Sequence, residues 1–216
     1  YEISACLVGS EMCIRDSLNS FLQKLNLKNY ALSFYNYYIV YENFISIFIH
    51  KIWNKFPVEA KLRNGKRIML DNPAVAYYCT IYCNKLKILE INDLFIKFEY
   101  DGKTIKFYGW KYGDLAVFVH RDYDFLDVKN KIVVDIGASI GDTPIYFALR
   151  GARKVIAFEP FPKIFKLAKE NIEENGLRDK VVLVNAGCGY DGKVKVREDI
   201  ETNTGTQLVD YGIGVE

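Results

Sequence analysis

The sequence has little that would commit it to a fibrous, disordered or strongly charged class. Five prolines in 216 residues make no proline-rich or collagenous segment, and an apolar fraction of 50% is too high for an intrinsically disordered chain. Twenty-nine basic residues against 27 acidic ones leave a net charge of +2, so charge alone implies no nucleic-acid partner. Five cysteines, an odd number at wide spacings, make no disulfide framework. They fit a reducing compartment, and the expected location is cytoplasmic. No apolar run reaches the ~20 residues that a membrane-spanning helix needs. Repeats and low-complexity segments are absent too. What the chain does have is aromatic side chains, 16 Tyr and 14 Phe, which predict an aromatic-rich core. Its length is enough to bury a full core, as one domain or one domain with a small satellite.

Residues 6–17, Cys-Leu-Val-Gly-Ser-Glu-Met-Cys-Ile-Arg-Asp-Ser, resemble translated sequencing adapter, so residues 1–17 are set aside as artefactual sequence. The first residue is Tyr1, and the true start is expected to lie outside the chain. Leu7 and Val8 begin no run of signal-peptide length. Residues 18–55 are apolar and aromatic, with Leu22, Leu25, Leu32, Tyr35, Tyr38 and Ile39 at helical spacing. This stretch is read as a helical arm packed on its own domain. The alternative is a membrane-surface or partner-binding helix through residues 30–53.

Residues 56–127 read as a small β-rich region. Val58, Ala60 and Leu62 alternate with charges, and Asn64-Gly65 predicts a tight hairpin with positive φ at both turn positions. A helix is expected over 74–87, with Asp71 or Asn72 as its cap and Pro73 in its first turn. A second hairpin is expected over Phe95–Tyr100 and Lys103–Tyr108 around Asp101-Gly102, followed by a strand at Leu115–His120. From Lys131 the pattern changes. Ile132–Val134, Lys154–Phe158 and Val181–Val184 read as strands of a parallel sheet, the first and third as strands buried on both faces. Helices are expected between them, the first capped by Asp142 or Thr143 and ended by Gly151, the second over 162–175. Strand, helix, strand, helix, strand opens a doubly wound α/β sheet.

The chemistry lies at the carboxyl ends of these strands. Asp135-Ile136-Gly137-Ala138-Ser139-Ile140-Gly141 sets an acid at a strand end before Gly-x-x-x-Gly, so the backbone can pass beneath a flat ligand with no Cβ in its place. Glu159 ends the next strand, where a carboxylate can accept two hydrogen bonds from a ribose diol. Asn185-Ala186-Gly187 ends the third, and its small residues leave room for a base. A dinucleotide site would want Gly-x-Gly-x-x-Gly, and Ala138-Ser139 occupy the place of its second glycine. Without a ligand, the glycines would be an ordinary tight connection and Glu159 an acid at a helix N-terminus.

Together these motifs resemble the S-adenosylmethionine site of class I methyltransferases. More narrowly, Asp135 to Gly141, Ala157-Phe158-Glu159-Pro160, Asn171, Asn185 to Gly189 and the Thr202–Thr206 loop resemble the FkbM family. The resemblance covers about residues 130–208 and implies a Rossmann-like α/β methyltransferase fold, with residues 128–216 a partial cofactor-binding domain. It implies S-adenosylmethionine as cofactor. Gly137, Ala138, Ser139 and Gly141 would wrap the methionine moiety, with Asp142 and Thr143 beside them, and Asp135 would support the sulfonium end. Glu159 and Pro160 would hold the ribose, and Asn185 and Ala186 would line the adenine. The implied reaction is O-methyl transfer to a hydroxyl of a small molecule or glycan. The family continues with a Lys-x-Asp-x-Glu-Gly-type strand that has no counterpart before Glu216. The chain is therefore expected to be incomplete, inactive as it stands, and to leave Ile132–Val134 at an open sheet edge.

Other candidates are bland. Cys79 and Cys83 share a helix face, but with no His or further Cys pair they read as core residues rather than metal ligands. Cys188 reads as a packing residue or a nucleophile, and His120, Asp122 and Tyr123 as a surface turn or a substrate contact. No general base is identified. The alternatives to an enzyme are a non-catalytic nucleotide-binding or interaction module and a membrane-surface accessory protein.

Overall fold

The computed structural model describes residues 27–189. The arm is a helical hairpin, α1 (Leu27–Val40) and α2 (Phe44–Ile52). Phe34 meets Phe44 and Phe48 edge-on, and Tyr38 meets Phe44 in the same way. One side packs inward through Tyr37, Val40, Tyr41 and Ile47, and the Tyr41 hydroxyl donates to the Ala76 carbonyl at 2.8 Å. The other side leaves Leu32, Tyr35, Tyr38, Ile45, Ile49, Ile52 and Trp53 exposed. Among the described residues, no helix is long and apolar enough to cross a membrane.

β1 (Val58–Lys61) and β2 (Arg67–Leu70) form the first hairpin. Its turn differs from the expected one: Gly65 alone takes a positive φ, and its amide bonds back to the Leu62 carbonyl. α3 (Pro73–Lys85) follows, capped by the Asn72 side chain, which accepts from the Val75 amide at 3.0 Å. The helix stops short of residue 87 because Lys87–Ile91 forms β3, a strand not anticipated. β3, β4 (Phe95–Tyr100) and β5 (Lys103–Tyr108) make an antiparallel sheet, and Asp101 and Gly102 both take positive φ in the β4–β5 turn. The expected strand at Leu115–His120 is instead a short helix, α4 (Ala116–His120). Tertiary packing overrides the β-branched residues here. As a helix the segment sets Phe118 edge-on to Phe98 and Tyr100 at 5.3 and 5.1 Å, and to Tyr146 at 5.6 Å.

The parallel unit runs β6 (Ile132–Ile136), α5 (Asp142–Leu149), β7 (Lys154–Phe158), α6 (Pro162–Glu174) and β8 (Val181–Val184). Its sheet order is β6-β7-β8, with Ile132 opposite Lys154 and Val155 opposite Val181. The architecture is the expected α/β one. α5 is capped by Gly141 in the left-handed region, not by an Asp142 or Thr143 side chain. Burial on both faces is also corrected. Val155 and Ala157 are fully buried, whereas Ile132, Val134 and Ile136 are 54%, 60% and 68% exposed. Two right-handed crossovers stepping in the same direction put both helices on one face. Composition shows how apolar a strand is, and topology decides how many of its faces are covered.

Candidate functional site

Three strand ends and the turns that leave them make the site. Leaving β6, the Gly137 and Ala138 amides both donate to the Phe158 carbonyl at 2.9 Å, which closes the turn over the end of β7. Gly137 sits at φ +92°, and a Cβ there would meet nothing within 4 Å, so the turn presents bare backbone to an open space. Gly141, at φ +90°, has the opposite surroundings. Its Cβ would lie 3.1 Å from the Ala168 carbonyl oxygen, so glycine lets α6 approach the turn. Ser139 is left-handed as well, at φ +42°.

Glu159 is 4% exposed and ties the turn to the start of α6. Its Oε2 accepts the Ser139 amide and its Oε1 the Phe161 amide, each at 2.9 Å. A carboxylate has about four acceptor positions, so both oxygens keep capacity for hydroxyl donors after these bonds are made. Burial pushes the Glu159 carboxyl up, the two amides pull it down, and the charges of Asp114 and Asp135 raise it. Asp135 accepts the Thr143 hydroxyl at 2.6 Å, and burial raises its pKa against that bond. Asp142, buried at the start of α5, is raised well above the carboxylate range by burial, then by Asp114 and Asp135.

On the far side, the Asn185 amide donates to the Glu159 carbonyl at 2.8 Å and the Pro160 carbonyl at 3.2 Å. Ala186 bonds back to Val184 and turns the chain at the end of β8. Asp135, Gly137, Ala138, Ser139, Gly141, Asp142, Thr143, Glu159, Pro160, Asn185 and Ala186 thus fall at one rim of the parallel sheet. Open α/β sheets hold their ligands outside the carboxyl ends of the strands, on this side of the sheet. The Thr202–Thr206 loop lies outside the described residues.

Two asparagines, Asn171 in α6 and Asn175 just past its end, tie α6 to the edge of β5, and Asn171 also braces the glycine turn. The fully buried Asn171 side chain accepts the Tyr108 amide at 2.8 Å and donates to the Tyr108 and Ile140 carbonyls at 3.1 and 2.8 Å. One turn on, Asn175 makes the same pair of bonds to Lys106, at 3.0 and 2.8 Å. Asn175 was not anticipated, although its i,i+4 spacing from Asn171 was visible. Asp114 was not anticipated either. It is buried and accepts the Ser139 hydroxyl at 2.6 Å.

Among the described residues, no hydrogen bond joins His120, Asp122 or Tyr123 to this rim, and the Tyr123 carbonyl instead accepts the Arg150 side chain at the far end of α5. Cys79 and Cys83, with sulfurs 3.9 Å apart, lie in α3, and Cys188 is exposed. Among the described residues, no three His, Cys, Asp or Glu side chains come together as a metal-binding group.

No family model matches the chain. A ribosomal protein L11 methyltransferase of Carboxydothermus hydrogenoformans is 43% identical over 54 residues, covering 25% of this chain and 18% of its own length. Protein arginine N-methyltransferase 1 of Saccharomyces cerevisiae is 39% identical over 56 residues, covering 26% of this chain and 16% of its own length. The chain thus spans less than a fifth of either relative. Among solved structures, Pyrococcus horikoshii TYW2 in complex with MeSAdo is 20% identical and covers 66% of this chain and 61% of its own, with a TM-score of 0.37. Both of these curated relatives, each matched over about a quarter of this chain, are methyltransferases, and that general class is what the segment is similar to.

Proposed function

We propose that the chain binds S-adenosylmethionine at the rim of β6, β7 and β8 and belongs to an enzyme of methyl transfer. The observation that carries this reading is the pairing of Gly137 with Glu159. A left-handed glycine with open space over it stands next to a buried carboxylate with acceptor capacity left. A nucleoside with a ribose diol suits that pair: its hydroxyls donate to Glu159 while its flat parts pass over bare backbone. Asn185 and Ala186 would line the base. Gly137 to Gly141 would follow the amino-acid half, with Asp135 nearby and held by Thr143. When bound, S-adenosylmethionine supplies a methyl group on a sulfonium, which leaves as a neutral thioether. The rim residues would bind and orient it, and positioning two reactants can itself be worth several kcal/mol. The narrower FkbM resemblance supports a hydroxyl acceptor on a small molecule or glycan.

The test is calorimetric titration of the full chain with S-adenosylhomocysteine. Wild type should bind, and Glu159→Ala should weaken binding at least about thirtyfold, the loss expected for two hydrogen bonds to a buried charge. Equal affinity in the two proteins would overturn the assignment of Glu159, and absence of binding by wild type would overturn the cofactor reading.

A further inference from the structure

Ser139 stands between two carboxylates from different parts of the chain. Its amide donates to Glu159 and its hydroxyl to Asp114, 25 residues upstream in the β-rich region. The backbone between these bonds is left-handed at φ +42°. An L-residue other than Asn or Asp rarely takes that conformation and keeps it only where its surroundings hold it. Asp114 is well placed to do so. The 2.6 Å hydroxyl-to-carboxylate bond is of the short, charge-assisted kind. Asp114 itself is held firmly. Gly113 before it, at φ +93°, packs so tightly on the Tyr78 ring that a Cβ would fall 2.4 Å from it. Leu115 after it is fully buried, and so is Trp110 just upstream, whose indole donates to the Asn92 carbonyl at 2.8 Å.

We propose that Asp114 is a positioning residue of the S-adenosylmethionine site: it fixes Ser139 in its left-handed conformation and so keeps the Ser139 amide aimed at Glu159. This rests on the cofactor reading above and extends it, because it makes the β-rich region a working part of that site. The glycine turn and Glu159 come from the parallel unit, and the anchor that sets the turn comes from outside it.

The test uses the full chain as wild type, Asp114→Ala, Asp114→Asn and the double variant Asp114→Ala with Ser139→Gly. Two quantities are read: the affinity for S-adenosylhomocysteine, and hydrogen exchange at the Ser139 amide (position 139 in the double variant) without ligand. Asp114→Ala should weaken binding about tenfold and speed exchange by a similar factor, as expected when one anchor of a two-point bond network is lost. Asp114→Asn keeps an acceptor and should stay within about threefold of wild type on both. The double variant should recover most of the lost affinity, because glycine takes the left-handed conformation without an anchor. An Asp114 that merely stabilised the fold would not be rescued by a glycine at 139, so failure of the double variant to recover overturns the proposal. Wild-type binding and exchange in Asp114→Ala also overturn it and leave the cofactor reading standing. No binding by wild type sinks the cofactor reading, and the role proposed for Asp114 falls with it.

Discussion

β5 and β6 each have an outer side within their own sheet, and the two sides are treated differently. The open hydrogen-bonding edge of β5 is met by Asn171 and Asn175, whose side-chain amides bond Tyr108 and Lys106 much as a neighbouring strand would. β6 pairs with β7 alone among the described residues, and it turns Ile132, Val134 and Ile136 outward. The flank of β5 that faces α6 is therefore bonded at Lys106 and Tyr108, and the opposite face of the parallel sheet is bare. The difference shows where the site gets its rigidity. Asn171 and Asp114 reach the turn from the bonded flank, through the Ile140 carbonyl and the Ser139 hydroxyl, and nothing described reaches it across the bare face.

The comparison is broken most severely at Asn171. Asn171→Ala removes a fully buried side chain and strands the Tyr108 amide and the Ile140 carbonyl, a loss on the order of 3 kcal/mol. In a chain of this size the melting midpoint should fall by about 10 °C. A fall under about 2 °C would mean that the β5 edge is not held in this way.

Gly141→Ala comes next. The left-handed φ and the 3.1 Å approach to the Ala168 carbonyl act together, for a loss of about 2 kcal/mol in chemical denaturation. Gly137→Ala has the same strain without the clash and should lose about 1 kcal/mol. Equal losses would remove the distinction between the packed and open glycines.

A smaller effect is expected at Asp142. Its folded pKa is raised by burial and by Asp114 and Asp135. The folded state therefore holds its proton to higher pH than the unfolded state, and stability falls as pH rises from the ordinary carboxylate value through the raised one. Asp142→Asn removes that loss. Its melting midpoint should exceed that of wild type by a few degrees, about 3 °C, near pH 7.5, and by less near pH 5. A gain independent of pH would count against a buried charge as the cause. The smallest change belongs to the bare face, where Val134→Lys should shift stability by no more than about 0.5 kcal/mol, as at an exposed position. A loss of about 2 kcal/mol there would show that the face is covered after all.

The parallel unit was the more legible half. Lys154–Phe158 and Val181–Val184 stand at their expected boundaries because short apolar runs between glycines and charges have few other ways to pack. Glu159 was legible for the same reason, since a strand end fixes what lies there. The β-rich half was harder to read. Leu115–His120 has strand-like residues, yet it coils into a helix to seat Phe118 among Phe98, Tyr100 and Tyr146, contacts that no local pattern encodes. Asp114 was hidden because its partner is 25 residues away. The one local sign was the Gly109…Gly113 pair just before it, two left-handed glycines around a buried Trp110. Exposure of Ile132, Val134 and Ile136 was missed because a run of apolar residues does not say on which face helices will lie.

The central claim is that the rim of β6, β7 and β8 holds S-adenosylmethionine. The most direct test is a thermal melt of the full chain alone, with S-adenosylhomocysteine and with NAD at equal concentration. A ligand that binds only the folded state must raise the midpoint, by an amount set by its concentration over Kd. The account predicts a rise with S-adenosylhomocysteine, none with NAD, and loss of the rise in Glu159→Ala. A rise with NAD alone, or an equal rise in Glu159→Ala, would contradict it.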